Sequence, residues 1–271
     1  MLDIAYSPCP NDTFCFDAWV HGKIDSCVKP RPTLADIQQL NAWAYEKRYP
    51  VTKVSTYCLG NITKDYLMLP SGAAISPTGP KLIAQVPFDL SSMKGRTVAI
   101  PGLDTTAYLL FRILFGDEAQ VIPCRYDEIL SCICKGEADI GLIIHETRFI
   151  FQNVGLIELA DLGTLYTERY HCPIPLGVIA ARRDLPSSLI EQISSSIEES
   201  VHFALLNPAS SKPYVLSNAQ ETDENVIKQH IETYVNQETL HMSKEATKAI
   251  NTFFELAIDH ALLPKEARLA L

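Results

Sequence analysis

The sequence predicts an α/β protein of two domains, and three observations carry that prediction. First, an apolar strand, a polar turn and an apolar helix follow one another repeatedly along the chain. Second, the inner block 88–178 begins and ends at prolines, Pro87 before it and Pro173 and Pro175 near its close, so the chain can leave one domain and return to it. Third, 271 residues with 47% hydrophobic and 20% charged content suffice for one large or two medium domains with substantial cores. The expected division is 1–87 plus 179–271 for a larger domain and 88–178 for a smaller one, joined by a doubly crossed connection.

The elements read as follows. LDIAY (2–6) is a strand, and TFCFDAWVHG after it is a helix capped by Asn11 or Asp12, whose side chains can accept from the free first-turn N–H groups. The intervening SPCPNDTF (7–14) sets its shape with prolines and opens a helix whose positive end can hold a polar or anionic ligand. VTKVSTY (51–57) is a strand, 61–69 a helical stretch and SGAAISPTGP a loop. TVAIPG (97–102) is a strand, LDTT a turn and AYLLFRILF a strongly apolar helix. VIPCRY (121–126) is a strand, 127–135 a helix, and ADIGLII a buried strand running into His145. LGVIAARRD (176–184) is a strand, followed by helices at about 187–206, 223–235 and 244–262. There is no internal sequence repeat.

Strands alternating with helices imply a mostly parallel sheet, because parallel neighbours require a crossover element. Ligands of such sheets sit at the carboxyl ends of strands. Ser7 to Thr13, Lys53 to Ser55, Gly102 to Thr106 and His145 all fall at such ends.

Charge and composition exclude several functions. A formal net charge of -9 with scattered Lys and Arg gives no footprint for nucleic acid. No apolar run approaches the roughly 20 residues of a membrane span, and MLDIAYSPCP has neither a basic leader nor an apolar signal core, so the expected location is the cytoplasm. The eight cysteines never form C-x-x-C and read as reduced, mostly buried thiols. HETRF begins like the zincin helix H-E-x-x-H, but position 149 is Phe149, so the second ligand is missing and no metal is expected.

Taken together, SPCPNDTF, LNAWA (40–44), VTKVS (51–55), SGAA (71–74), AIPGLDTTAYLL (99–110), GLIIHETRF (141–149), PIPLG (173–177), AQE (219–221) and QHIETYVN (229–236) resemble the 1,4-dihydroxy-6-naphthoate synthase family. That family serves the futalosine route of menaquinone biosynthesis. The resemblance implies a periplasmic-binding-protein-like fold of type II, two α/β domains with a ligand cleft between them. It also implies a bacterial, cytoplasmic, cofactor-independent lyase. Its substrate is a small-molecule carboxylate, cyclic dehypoxanthinyl futalosine, from which 1,4-dihydroxy-6-naphthoate and a three-carbon fragment, dihydroxyacetone, are released.

Such a reaction breaks a carbon–carbon bond and forms an aromatic ring, so it needs a base and donors for developing oxygen charge. His145 fits the base: an ordinary imidazole titrates near neutrality, and the position matches the family's catalytic histidine. Thr105 and Thr106 open an apolar helix and are expected to contact substrate, as are Ser55 and Asn41 by their match to family pocket positions. Lys53 either attracts the substrate carboxylate or is a solvated strand charge. Arg148 either binds carboxylate or braces the two domains. The alternatives are chorismate dehydratase of the same pathway, against which PCPND and IHE-x-RF argue, and a non-catalytic solute-binding or sensor domain.

Overall fold

The computed structural model describes residues 1–269. The first part of the chain forms β1 (Leu2–Tyr6), α1 (Pro10–Val20), β2 (Pro30–Leu34), α2 (Ile37–Tyr45), β3 (Val51–Ser55), α3 (Thr56–Ile62), β4 (Tyr66–Met68) and β5 (Ala74–Ser76). There follow β6 (Lys81–Ala84), β7 (Thr97–Ile100), α4 (Thr106–Phe115), β8 (Gln120–Pro123), α5 (Ile129–Cys134), β9 (Ile140–Ile143), α6 (Thr147–Ile150), β10 (Ile157–Asp161) and α7 (Leu162–Tyr170). The chain returns through β11 (Ile174–Arg182) and ends in α8 (Ser187–Leu206), α9 (Pro208–Asn218), α10 (Glu224–Tyr234), α11 (Gln237–Leu240) and α12 (Lys244–Asp259).

Two sheets organise the molecule. The first runs β2-β1-β3-β11-β4, with β5 paired to β11, and the second runs β10-β6-β9-β7-β8. Each has the same plan. Three parallel strands (β2, β1, β3 in one; β8, β7, β9 in the other) are followed by an antiparallel strand delivered from the other half of the chain, β11 or β6, and then by one more antiparallel strand. The plan is thus repeated in topology although the sequence carries no repeat. It also corrects the expectation of mostly parallel sheets: β11 and β6 pair only antiparallel.

The chain changes sheets earlier than the prolines suggest. β5 still belongs to the first sheet and β6 to the second, so the first crossing lies at 77–80 rather than at 87/88. β11 begins at Ile174, so the return precedes 178/179. A strand's sheet is set by its hydrogen-bond partners, and KLIA (81–84) pairs with β9 and β10, a fact that no local pattern encodes.

Other departures have similar causes. Residues 61–69 are not one helix: α3 ends at Ile62 and Tyr66–Met68 is a strand because it pairs with β11. Asn11 and Asp12 do not cap α1. Pro10 already occupies its first turn, so the N-cap is Cys9, which makes no side-chain cap bond, and both polar residues lie inside the helix. Every residue from Pro10 to Trp19 is buried, since α1 is enclosed by α8, α9 and α10. All eight cysteines are free thiols; Cys9, Cys15, Cys58 and Cys132 are buried, while Cys27 and Cys134 are exposed. Among the described residues no helix is long and apolar enough to cross a membrane.

The parallel triplets of both sheets aim their carboxyl ends at one cleft. β1 delivers Ser7, β3 delivers Ser55, β7 delivers the turn before Thr105, and β9 delivers His145. The halves meet across it. Asp104 accepts from Gln38 Nε2 at 3.0 Å and from the Tyr45 hydroxyl at 3.0 Å, and its carbonyl accepts from Asn41 Nδ2 at 3.1 Å. Gly102, at φ +144°, permits this contact, because a β-carbon there would overlap the Gln38 carboxamide.

The first crossing is clamped from the second half. Asp161 accepts from the N–H groups of Gly79 and Gly163 at 3.1 and 2.8 Å, and α7 packs so closely that a β-carbon on Gly163 would overlap the backbone of Thr78 and Gly79. Gly163→Ala is therefore expected to destabilise the fold by at least about 1–3 kcal/mol, the usual cost of overpacking. Urea unfolding checks it, and an unchanged midpoint would show that the crossing can yield.

Candidate active site

The cleft is lined by residues from both halves, among them Ser7, Asn11, Asp12, Lys53, Ser55, Thr105, Thr106, His145, His230 and Tyr234. His145 stands just past β9 in the left-handed region at φ 56°, a conformation that a non-glycine residue adopts only under surrounding constraint. Its Nδ1 lies 3.3 Å from Cys9 Sγ, and its Nε2 is buried without a partner. Tyr126 packs edge-on against the ring at 4.8 Å and His230 stacks at 6.2 Å. Burial pushes the His145 pKa down to about 4, against the opposing pull of Asp12, so the imidazole is neutral near pH 7.

His230 is fully buried, with Nε2–H donating to Asn11 Oδ1 at 2.8 Å. Burial, followed by the neighbouring His145 ring and the Arg148 guanidinium, holds its pKa well below the ordinary histidine value. Asn11 in turn donates from Nδ2 to Asp12 Oδ1 at 2.8 Å. Asp12 also pairs with Lys53 Nζ at 2.8 Å and accepts from the Ser7 hydroxyl at 2.7 Å. Lys53 spends a further hydrogen on the Gly72 carbonyl at 2.9 Å.

Each residue expected at the site has a definite place. His145, Lys53, Ser55, Thr105 and Thr106 line the cleft. Lys53 does so as half of a buried ion pair, not as a free cation. Asn41 is fully buried and is not among the lining residues; its Nδ2 donates to Ser55 Oγ at 3.0 Å and its Oδ1 accepts from Ser55 N–H at 2.9 Å. Arg148 braces: Nη2 meets Asp161 at 3.0 Å, while Nη1 donates to Tyr234 at 2.8 Å and Thr78 at 3.2 Å.

The hydroxyls differ in what they have left to give. A hydroxyl carries one hydrogen and two lone pairs. Thr105 spends its hydrogen on the Gly102 carbonyl at 2.8 Å while accepting from Tyr108 N–H as N-cap of α4. Ser55 accepts from Asn41, and Thr106 Oγ1 accepts from Tyr57 N–H at 3.3 Å, so both hydroxyls retain a hydrogen for the cleft. The first-turn N–H groups of Thr106 and Ala107 stand beside them, free of intrahelical partners by the geometry of a helix start.

Sequence reasoning missed Cys9, Asn11, Glu146, His230 and Tyr234. One signal was legible for the last two: Ile227, His230 and Tyr234 share the buried face of α10 at helical spacing, which places a histidine at an apolar position. Glu146 is 3% exposed with both carboxylate oxygens unpartnered, and burial raises its pKa to about 7. No sequence pattern announces such a group.

Two α/β lobes around a cleft built from strand ends define a protein of the periplasmic-binding-protein fold. Solved structures agree. A protein from Archaeoglobus fulgidus superposes with a TM-score of 0.92 at 30% identity, covering 97% of this chain and 98% of its own. The periplasmic aliphatic sulphonate binding protein of Escherichia coli gives 0.68 at 14% identity, covering 100% of this chain and 92% of its own. A family profile described as menaquinone biosynthesis matches residues 2–259. The chain is 41% identical to the 1,4-dihydroxy-6-naphthoate synthase of Thermus thermophilus, over 93% of this chain and 92% of that one. It is 38% identical to the enzyme of the same name from Streptomyces coelicolor, over 97% and 95%. The chain belongs to this menaquinone-biosynthesis family.

Two outcomes follow from the buried charges. Lys53→Met is expected to cost about 3–5 kcal/mol in a denaturant titration, because Asp12 is then left buried and unpaired; a loss below 1 kcal/mol would show the pair to be dispensable. Glu146 keeps its proton in the folded state up to about pH 7 against an ordinary 4.5, so its contribution is lost as pH rises across that window. Between about pH 5 and pH 8 the Tm of the parent should therefore fall further than that of Glu146→Gln. Parallel Tm–pH curves would contradict the assignment.

Proposed function

We propose that the chain is a carbon–carbon lyase that converts cyclic dehypoxanthinyl futalosine to 1,4-dihydroxy-6-naphthoate with release of dihydroxyacetone, using His145 as the base. The observation that carries this reading is the neutral imidazole at the end of β9, its Nε2 without a partner, in the cleft that also holds the donors of α4 and Ser55. With hydrogen on Nδ1 donated toward Cys9 Sγ, the lone pair of Nε2 is left for the substrate proton. The left-handed turn holds the ring there before substrate arrives, so little reorganisation is needed at the moment of transfer.

The substrate carboxylate is held by donors rather than by a free cation. Ser55 and Thr106 hydroxyls and the first-turn N–H groups of α4 supply hydrogen bonds and the positive end of a helix dipole. Asp12 and Lys53 cancel each other and keep the cleft floor neutral. The expected setting is the bacterial cytoplasm, with no metal or organic cofactor in the reaction, and the lobes divide as the two sheets do.

The test is to incubate chelator-treated protein with cyclic dehypoxanthinyl futalosine and follow 1,4-dihydroxy-6-naphthoate by chromatography. Product is expected from the parent, with kcat reduced at least about a hundredfold in His145→Ala, the scale of a lost general base. Tight binding without product from the parent would instead make the chain a solute-binding module. Thr106→Val should raise KM by about tenfold or more, as loss of a hydrogen bond to a charged group does, and an unchanged KM would place the carboxylate elsewhere. The acid limb of kcat/KM should fall near pH 4, because protonation of His145 removes the base only as pH drops through its depressed pKa. A limb at the ordinary histidine value would contradict a neutral base of depressed pKa.

A further inference from the structure

The proposed base itself belongs to a cluster of potential metal ligands. Cys9 Sγ, a ring nitrogen of His145 and a carboxylate oxygen of Glu146 lie within 4.8 Å of one another. Sγ and Nδ1 are 3.3 Å apart. Zinc binds thiolate, imidazole and carboxylate at roughly 2.0–2.3 Å in a tetrahedron, which sets its ligands about 3.3–3.8 Å from each other. The thiol–imidazole pair has that spacing already, and the carboxylate needs only a small movement. Glu146 can supply it: the side chain is 3% exposed, yet neither oxygen has a hydrogen-bond partner. A buried carboxylate without a partner needs a reason to be there.

We propose that Cys9, His145 and Glu146 form a binding site for a thiophilic divalent cation such as zinc, and that filling it switches the lyase off. The ligands come from opposite sides of the cleft, Cys9 ahead of α1 and the other two from the turn after β9, so an ion would also tie the lobes together. Three protein ligands leave a fourth position for water or a substrate oxygen. The inhibitory step is a change of tautomer. A metal on Nδ1 takes the lone pair there, so the single proton of the neutral ring must reside on Nε2, and the nitrogen that would accept the substrate proton is capped. Binding also releases the thiol proton, because zinc takes the thiolate. The binding half of the proposal stands without the lyase reading; the inhibitory half rests on it.

Cys9 lies 136 residues before His145 along the chain, which is why motif spacing gave no hint of the cluster. The test uses the full chain carrying Cys27→Ser and Cys134→Ser, which removes the exposed thiols that would otherwise gather metal. Titration calorimetry with zinc sulfate in buffers of different ionisation enthalpy is expected to give one zinc per chain with release of the thiol proton. Cys9→Ser and Glu146→Gln in that background should each weaken binding at least about tenfold. Cobalt(II) in place of zinc should give a thiolate-to-metal charge-transfer band with the parent protein and none with Cys9→Ser, a readout that does not depend on turnover. Absence of stoichiometric uptake, or uptake unaltered by both substitutions, overturns the site. Stoichiometric zinc at the cysteine with undiminished product formation keeps the site and overturns its inhibitory role, and with it the assignment of Nε2 as base.

Discussion

A buried ion pair, Asp12 with Lys53, lies under the cleft, and the rest of the site is hung from it. Taking two charges out of water is costly, and the cost is offset only when every remaining hydrogen and lone pair is used. Much of that capacity is used here: Lys53 reaches the Gly72 carbonyl besides Asp12, and Asp12 receives Ser7 and Asn11. Those bonds then orient further groups. Asn11, fixed by Asp12, takes the Nε2–H of His230, and the His230 ring stacks on His145. The placement of the His145 ring is thus tied, through Asn11 and His230, to the buried charge pair.

Neutralising the lysine changes how an anion is recognised. A free ammonium would attract any carboxylate at long range, whereas hydroxyls and helix-start N–H groups act only at contact and only along their bond directions. In a chain of net charge -9, the cleft thus offers short, directed donors in place of a free cation. Ser55 and Thr106 are made into donors by neighbours that occupy their lone pairs, Asn41 and the Tyr57 N–H. Asn41 contributes to the cleft in this indirect way.

The two lobes share a buried apolar cluster that includes Val54 and Val178 of the first sheet and Val98 and Leu142 of the second, and specific polar contacts keep them in register. Asp104 gathers Gln38, Asn41 and Tyr45 across the cleft, and Arg148 gathers Asp161, Tyr234 and Thr78 near the crossing strands. Both depend on backbone that approaches closely, at Gly102 in one case and at Gly163 in the other. Hinge motion in folds of this kind opens and closes such contacts while each sheet stays intact.

The sequence by itself determined the α/β class, three of the C-terminal helices (α8, α10 and α12) and the strand ends that carry Ser7, Ser55, Thr105 and His145, because apolar periodicity and turn chemistry are local properties. It also identified the family through motifs spread along the chain. Only the tertiary structure decided which strand joins which sheet, since β6 and β11 are assigned by distant hydrogen-bond partners. It alone turned Asp12 from a helix cap into an ion-pair partner, withdrew Asn41 from the cleft wall and brought His230, Cys9 and Glu146 to His145. Burial, pKa and the use of a lone pair depend on neighbours contributed by remote segments, and linear spacing holds no record of them.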